Sequence, residues 1–205
     1  PAVTFLCSPN NPSGLIEPET VVRTVAAEAR GLVVVDEAYG QFAPWSALGL
    51  VVDDVPLVVS RTFSKTWSMA ASRLGYLVAP AEIVTELEKV VLPYHLDAVK
   101  QIAGCLALDH VAEMDARVTR LVRERERLVS RLTELPVRVW PSGANFVLFR
   151  PEAAPGADVW RQLVERSVLV RNCSSWPRLE GCLRVTIGTP DEDDAFLEAL
   201  EEILT

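Results

Sequence analysis

One lysine of this chain lies in a stretch whose residue types could do carbonyl chemistry. Three hydroxyl residues, Ser60, Thr62 and Ser64, alternate after the apolar run at residues 56–59, and Lys65 follows them directly. Burial just past a strand would lower the pKa of this lysine and make its amine a nucleophile suited to Schiff-base formation with a carbonyl. A surface loop with a stray lysine is the simpler interpretation, and this stretch alone leaves both open.

A carboxylate pair, Asp36 and Glu37, follows the continuous apolar run at residues 32–35. Such a run is typical of a strand buried on both faces, and the carboxyl end of a parallel strand is where open α/β sheets bind ligands. Asp36 could organise magnesium in an NTPase, but the chain contains no G-x-x-x-x-G-K-[ST] loop, so half of that site would lie elsewhere. Alternatively, Asp36 could pair with a cationic ring nitrogen while Tyr39 donates to a neighbouring oxygen.

Two further groups of polar residues could contact a ligand. Residues 7–14 are dense in turn residues, and the prolines there hold the backbone so that Asn and Ser side chains can point at a ligand. A plain tight turn is the commoner use of such a composition. Arg184 stands between Leu183 and Val185, so strand alternation points it away from their core-facing side chains. It is either a surface residue, which the spacing favours, or a residue whose guanidinium binds an anionic ligand.

The elements that would position these residues form an alternating pattern of strands and helices. It predicts a mostly parallel sheet, followed by long helices over residues 96–135 and a small α+β unit at the end. The predicted strands cover residues 2–6, 32–35, 56–59, 74–78, 137–140, 145–149, 168–171 and 183–187. The predicted helices include one from Pro18 to a stop at Gly31, one over residues 80–91, one over residues 158–166, and a terminal helix that begins with the capping box at residues 189–192.

Composition limits the classes of function. The chain has 205 residues, 49% of them hydrophobic, and a net charge of −8 with no single basic patch, which argues against nucleic-acid binding. No apolar run is long enough for a membrane span, and we expect no signal peptide. The scattered cysteines predict reduced thiols in a cytoplasmic protein without a metal framework. The chain opens at Pro1 on a predicted strand, so we expect a piece of a longer protein.

Four motifs, in their order and spacing, resemble those of the fold-type I pyridoxal-phosphate aminotransferases, and most closely the histidinol-phosphate aminotransferase branch. They are Asn10-Asn11-Pro12-Ser13-Gly14, Asp36-Glu37-Ala38-Tyr39, Ser64-Lys65 with Arg73 eight residues on, and Gly181-Cys182-Leu183-Arg184-Val185. The resemblance covers essentially the whole chain but only the later part of the family's length. It implies residues 1–95 as the end of the large cofactor-binding domain, 96–135 as connecting helices and 136–205 as the small domain.

The resemblance also implies a role for each matching residue. Lys65 would form a Schiff base with the aldehyde of pyridoxal phosphate and then transfer the substrate proton. Asp36 would keep the ring nitrogen protonated, and Asn11 and Tyr39 would hydrogen-bond the phenolic oxygen of the ring. The remaining cofactor residues and the substrate residues follow the same resemblance. Thr62, Ser64 and Arg73 would hold the cofactor phosphate, Arg184 and Arg171 would hold the acidic groups of substrates, and Asn145 would lie near the substrate.

The implied reaction moves an amino group between histidinol phosphate and 2-oxoglutarate in histidine biosynthesis, in a cytoplasmic homodimer. Ser13 stands where this family more often has threonine, which keeps the hydroxyl. The family's earlier segment supplies a phosphate-binding helix N-terminus, an aromatic that stacks on the ring and a tyrosine from the partner subunit, so this chain alone would be a poor enzyme. A threonine-phosphate decarboxylase-like or aromatic aminotransferase activity is the nearest alternative. The NTPase and a non-catalytic ligand sensor are the more distant ones.

Overall fold

The computed structural model describes residues 1–205, which form two compact units. The first unit comprises Pro1–Pro9 and Ile16–Val118, and the second comprises Asn10–Leu15 and Thr119–Thr205. The helices are α1 (Glu19–Glu28), α2 (Ala81–Glu88), α3 (Ala98–Leu108), α4 (Val111–Leu132), α5 (Gly156–Glu165) and α6 (Pro190–Leu204). The strands are β1 (Val3–Cys7), β2 (Leu32–Asp36), β3 (Leu57–Thr62), β4 (Gly75–Val78), β5 (Val137–Val139), β6 (Phe146–Pro151), β7 (Arg171–Asn172) and β8 (Leu183–Thr186). The division falls inside α4, and the predicted three-way domain division remains a prediction.

The first unit is built on a four-stranded sheet in the order β1-β2-β3-β4. β1, β2 and β3 are parallel, which confirms the predicted α/β class, and β4 returns antiparallel to β3. The loop between β3 and β4 contains only a short 3₁₀ turn and no crossover helix of the kind that usually joins parallel strands, and the chain reverses there. Parallel β2 and β3 therefore end at the same edge of the sheet, which carries Asp36 and Thr62.

One face of this sheet is better covered than the other, in contrast to the prediction of a doubly buried strand. Val33 and Val35 of β2 are fully buried against Val22 and Ala26 of α1. Val34, on the other face, is only partly buried. The continuous apolar run is thus a strand packed by a helix on one side, and the expectation of burial on both faces is wrong for this chain.

Helix ends depart from several sequence-based boundaries. α1 starts after Pro18 as expected but ends at Glu28, short of Gly31, and α2 ends at Glu88 rather than Val91. The long helical stretch after residue 96 consists of two helices, α3 and α4, and α3 is capped by the side chain of Asp97. No helix is both long enough and apolar enough to cross a membrane.

The second unit has an antiparallel sheet in the order β5-β6-β8-β7. One face packs against α4, α5 and α6 in a core that includes Val147, Phe149 and Leu183. α6 begins with the predicted capping box, in which Thr189 and Glu192 exchange hydrogen bonds. The strand predicted at residues 168–171 is wrong, because only Arg171 and Asn172 pair with β8.

The charged run at residues 123–127 is not the uniformly solvated helix face that its composition predicts. Arg125 is buried, and its guanidinium donates a hydrogen bond to the Ala144 carbonyl at 2.9 Å. Burial lowers the pKa of this guanidinium. Arg127 pairs with Glu124 on its own helix and with Asp194 on α6. The run therefore ties α4 to two other parts of the second unit.

The four cysteines have free thiols, in agreement with the prediction from their spacing. Cys7 and Cys105 are exposed, whereas Cys173 and Cys182 are buried. The two buried cysteines lie opposite each other at the end of the β7–β8 pair, with a 3.0 Å hydrogen bond from the Cys173 N–H to the Cys182 carbonyl. Burial raises the pKa of both thiols.

Candidate active site

A cavity of about 360 Å³ opens where β2 and β3 of the first unit end. Its lining combines an amine, a carboxylate, a guanidinium and several hydroxyls. The lining residues are Asp36, Ala38, Ser60, Arg61, Thr62, Ser64, Lys65, Ala70 and Arg73. The cavity thus brings together five residues that the sequence marked as candidate cofactor ligands, and it lies at the edge where parallel sheets bind ligands.

Asp36 is the last residue of β2, and one of its carboxylate oxygens is already engaged. Oδ1 accepts a hydrogen bond from the Ala38 N–H at 2.9 Å, which fixes the orientation of the carboxylate. Oδ2 has no hydrogen-bond partner in the chain and is free to accept one from a ligand. Cys7 of β1 lies opposite Asp36 in the sheet register. Burial first, and the Asp36 charge second, raise the pKa of the Cys7 thiol, which keeps that neighbour neutral.

Lys65 lies in the turn that follows β3, with its Nζ 5.1 Å from the centre of the Tyr39 ring. The contact is of cation–π type and holds the amine beside a buried phenol. Lys65 itself is exposed, so the expectation that burial activates this lysine is wrong for this chain. The backbone leaves the sheet at Thr62, and the turn buries the next residue, Thr66, whose carbonyl accepts a hydrogen bond from Arg117, rather than Lys65 itself.

The hydroxyls of Thr62 and Ser64 form one cluster at the head of this turn. Thr62 Oγ1 donates to Ser64 Oγ at 2.9 Å and accepts from the Ser64 N–H at 3.1 Å. The two side chains therefore lie side by side, as binding of a single phosphate group requires. Small donors in a turn are a recurrent way to hold phosphate, because they add hydrogen bonds without bulk.

Arg73 closes the same loop in an unusual backbone conformation. Its φ of 50° lies in the left-handed region that non-glycine residues rarely adopt, and its guanidinium donates to the Ala70 carbonyl at 3.2 Å. The nearby Gly75 lies so close to the neighbouring strand that a Cβ there would be 2.8 Å from the Arg61 carbonyl oxygen, so this position requires glycine. The β3–β4 pairing thus returns the chain so that Arg73 and Lys65 line one cavity.

A buried ion pair behind this cavity was not identified from the sequence. Glu37 is 2% exposed and accepts hydrogen bonds from the Arg61 guanidinium, the Ser46 hydroxyl and the Ala47 N–H. Gly40 leaves room for it, since a Cβ there would lie 2.8 Å from Glu37 Cβ. The available signal was a second carboxylate directly after Asp36 and an arginine two residues after the apolar run at residues 56–59.

The second unit contains the other candidates, and two of them contact each other. An Arg184 guanidinium nitrogen donates to Asn11 Oδ1, and the guanidinium carbon lies 4.7 Å from the centre of the Phe146 ring. The Arg184 Nε is buried and has no hydrogen-bond partner. With Oδ1 occupied, the free group of the Asn11 amide is its NH₂, which can only donate.

Arg171 and Arg184 lie directly opposite each other in the β7–β8 register, which places both side chains on the same sheet face. Like charges at such positions repel unless an anion lies between them. Asn145 is partly buried, and its carbonyl accepts a hydrogen bond from the Ile187 N–H at 2.9 Å. No contact in the structure assigns a role to its side chain.

A model of the family described as aminotransferase class I and II matches residues 1–200 of the chain. The chain belongs to this family. Over 206 residues it is 43% identical to a histidinol-phosphate aminotransferase of Mycobacterium marinum, an alignment that covers 99% of this chain and 52% of that protein. The chain thus spans about half the length of the curated relatives it matches.

Two solved structures share the fold of this aminotransferase-family chain. L-threonine-O-3-phosphate decarboxylase from Porphyromonas gingivalis superposes with a TM-score of 0.87 at 26% identity, over 98% of this chain and 64% of that one. Histidinol-phosphate aminotransferase from Sinorhizobium meliloti, in complex with pyridoxal-5′-phosphate, superposes with a TM-score of 0.88 at 24% identity, over 99% of this chain and 57% of that one. These superpositions confirm the predicted transferase fold in its partial form.

Proposed function

We propose that this chain carries the cofactor lysine of a pyridoxal-phosphate-dependent aminotransferase that exchanges an amino group between histidinol phosphate and 2-oxoglutarate. The observation that carries the proposal is the single cavity lined by Lys65, Asp36 and Arg73 together with the hydroxyls of Thr62 and Ser64. Family membership supports an aminotransferase, and the histidinol-phosphate relatives support this substrate.

The residues around this cavity fit the groups of pyridoxal phosphate. A primary amine matches its aldehyde, a carboxylate with a free oxygen matches its ring nitrogen, and an arginine beside two hydroxyls matches its phosphate. When bound, this cofactor supplies the electron sink that stabilises the carbanion of an amino-acid substrate.

Each residue has a distinct task in this proposal. Asp36 would hold a proton on the ring nitrogen through its free Oδ2, and the family resemblance implies that Tyr39 and the Asn11 amide would donate to the phenolic oxygen. Lys65 would take the proton from the substrate Cα through its Nζ and deliver it to C4′, the former aldehyde carbon of the cofactor. Thr62, Ser64 and Arg73 orient the cofactor by holding its phosphate. The Tyr39 ring, 5.1 Å from Nζ, limits where the Lys65 amine can move.

Arg184 and Arg171 would hold the acidic groups of both substrates. The direct partner of Arg184 is a neutral amide, so its charge is not compensated by a carboxylate, and its buried Nε is an unused donor. An anion between the two opposed arginines would relieve their repulsion and occupy that donor. A phosphate ester in one half-reaction and a glutamate carboxylate in the other both suit such a pair.

A decarboxylase acting on a phosphorylated amino acid is the second candidate, because the Porphyromonas gingivalis enzyme shares the fold at 26% identity. Both activities would use Lys65 in the same way and differ in what holds the substituents on the substrate Cα. By the same family resemblance, we propose a cytoplasmic homodimer for the full-length protein.

The first experiment is an absorption spectrum of the full-length protein with pyridoxal phosphate, beside the Lys65→Ala variant. We expect a visible band that the variant lacks and, after borohydride reduction, a cofactor adduct on the peptide containing Lys65. An adduct on Lys89 or Lys100 instead, or no adduct, would overturn the cofactor assignment.

The second experiment identifies the substrate. The full-length protein is incubated with histidinol phosphate and 2-oxoglutarate, and glutamate formation is measured; threonine phosphate is supplied separately, and carbon dioxide release is measured. Glutamate formation alone supports the proposal, whereas carbon dioxide release from threonine phosphate would replace it by the second candidate.

A further inference from the structure

Four arginines occupy one face of the sheet in the second unit. Arg138 lies opposite Arg150 in the β5–β6 register, and Arg171 lies opposite Arg184 in the β7–β8 register. Leu148, which pairs with Arg184, belongs to the same face as these four, because its neighbours Val147 and Phe149 point into the helix-covered core. The function proposed above uses only the second of the two arginine pairs.

The unassigned pair, Arg138 and Arg150, is gathered over one aromatic ring. The guanidinium carbon of Arg138 lies 4.9 Å from the centre of the Trp140 ring, and that of Arg150 lies 6.0 Å from it. Cation–π contacts of this kind hold arginines in place but leave their hydrogen-bond donors unused. The two guanidinium groups therefore form a preorganised group of donors that no atom of the protein satisfies.

This pair differs from other arginines of the same unit because neither of its members forms an ion pair with a carboxylate. Arg127, Arg161 and Arg166 each form an ion pair with an aspartate or glutamate. Neither Arg138 nor Arg150 has such a partner, although the chain has 28 acidic residues and a net charge of −8. Directly opposed like charges destabilise a sheet, so their placement calls for an anion from outside the chain.

The distance between the two arginine pairs suits transfer of one anion from the outer to the inner pair. Phe149 lies opposite Leu183, so Arg150 and Arg184 are diagonal neighbours on adjacent strands, with Cα atoms about 7–8 Å apart. This is within the Debye length of about 8 Å at physiological ionic strength, so a dianion bound at one arginine pair is also attracted by the other pair.

We propose that Arg138 and Arg150 form an outer anion-binding position, which captures phosphate-bearing substrate and delivers it to Arg171 and Arg184. This inference rests on the proposed function and adds a specificity-determining pair to it. The ligand is a phosphate monoester dianion, because two forks preorganised over one ring match several phosphate oxygens at once. In a protein of net negative charge, such a local positive surface raises the association rate of an anionic substrate.

The test measures kcat and kcat/KM for histidinol phosphate in the full-length holoenzyme and in the Arg138→Gln/Arg150→Gln variant, at low and high salt. We expect kcat to be unchanged and kcat/KM to fall roughly 5- to 10-fold at low salt, with the difference vanishing at high salt. The matched control is Arg123→Gln, which removes an exposed charge on α4, the helix that packs on the opposite sheet face. The proposal would be overturned if kcat/KM of the double variant equalled that of the native protein at low salt, or if its reduction in kcat/KM persisted at high salt.

A second measurement separates this proposal from the choice of substrate. Inorganic phosphate is titrated into the holoenzyme, whose cofactor phosphate site is filled, and binding is followed by ³¹P line broadening. We expect weaker binding in the double variant than in the Arg123→Gln control. If phosphate binding falls but histidinol phosphate is not a substrate, the arginine pair stands and the proposed function fails. If phosphate binding is unchanged in the double variant and histidinol phosphate is a substrate, the proposed outer position is wrong and the proposed function stands.

Discussion

The two sheets of this protein differ in how completely the chain covers them. In the second unit, Phe149, Leu183 and Leu200 are fully buried beneath helices of the same unit. In the first unit, Phe5 of β1 is 70% exposed, and every residue of β4 is exposed. The second unit thus contains a complete hydrophobic core of its own, whereas the first gains less from burial within this chain and carries its chemistry at strand ends. The second unit therefore has the larger buried core, and the first unit has the cavity that contains Lys65.

The largest expected loss of stability comes from a matched pair of substitutions, one phenylalanine in each sheet. Phe149→Ala removes a buried ring that lies 5.7 Å from the Phe196 ring, so we expect a loss of about 3–5 kcal/mol in the free energy of unfolding. Phe5→Ala removes a ring that is 70% exposed, so its effect should stay within about 0.5 kcal/mol. Urea denaturation of both variants tests the comparison. Equal losses would mean that the β1 ring is buried in solution.

The next effect tests whether the first unit depends on its buried ion pair. Arg61→Met leaves Glu37 buried without its cation, and we expect a loss of about 3–4 kcal/mol. The control is Arg23→Met, which breaks an ion pair whose side chains are 61% and 50% exposed, and it should cost less than about 1 kcal/mol. Thermal unfolding of the two variants measures both values. A small effect of Arg61→Met would show that Ser46 and Ala47 suffice to hold Glu37.

A pH-dependent effect on stability is expected at Asp193 in the second unit. Burial, with a further contribution from Glu124, raises the pKa of Asp193 from 3.8 to about 6, while Arg127 opposes the shift. Its Oδ2 is buried without a hydrogen-bond partner, and protonation would let it donate to the Glu124 carboxylate.

Because the folded state holds this proton more tightly, the stabilisation is complete below pH 3.8 and is lost as the pH rises through about 6. Its full size is roughly 3 kcal/mol. Asp193→Asn should remove this part of the pH dependence, and unfolding free energies measured from about pH 4 to 8 for both proteins test it. Parallel curves for the two proteins would contradict the assignment.

The smallest expected effect concerns the start of α6. Thr189→Ala removes the side-chain oxygen that accepts from the Glu192 N–H, with an expected cost of about 1 kcal/mol. Thr189→Ser keeps the oxygen and should recover most of that loss. Thermal unfolding followed by hydrogen exchange of α6 amides compares the two variants, and indistinguishable variants would show that the cap contributes nothing.

Local patterns predicted the fold well wherever one element decides its own geometry. Alternating apolar residues and the apolar run at residues 32–35 were sufficient to predict strands, and the capping box was sufficient to predict the start of α6. Both the side-chain period of a strand and the capping of a helix depend on residues that are neighbours in sequence. The strand at residues 168–171 failed because pairing with β8, not local propensity, decides where β7 exists. The solvated interpretation of residues 123–127 failed because only tertiary packing places Arg125 against the Ala144 carbonyl.

The candidate site divides in the same way. The sequence by itself determined which residue types stand at the ends of β2 and β3, and the order and spacing of their motifs resemble those of the aminotransferase family. Only the tertiary structure decided that Glu37 accepts from Arg61, that Arg184 donates to Asn11, and that Arg138 and Arg150 share the face of Trp140. Most of these contacts join residues far apart in the chain, and their geometry depends on strand register, which local sequence does not encode.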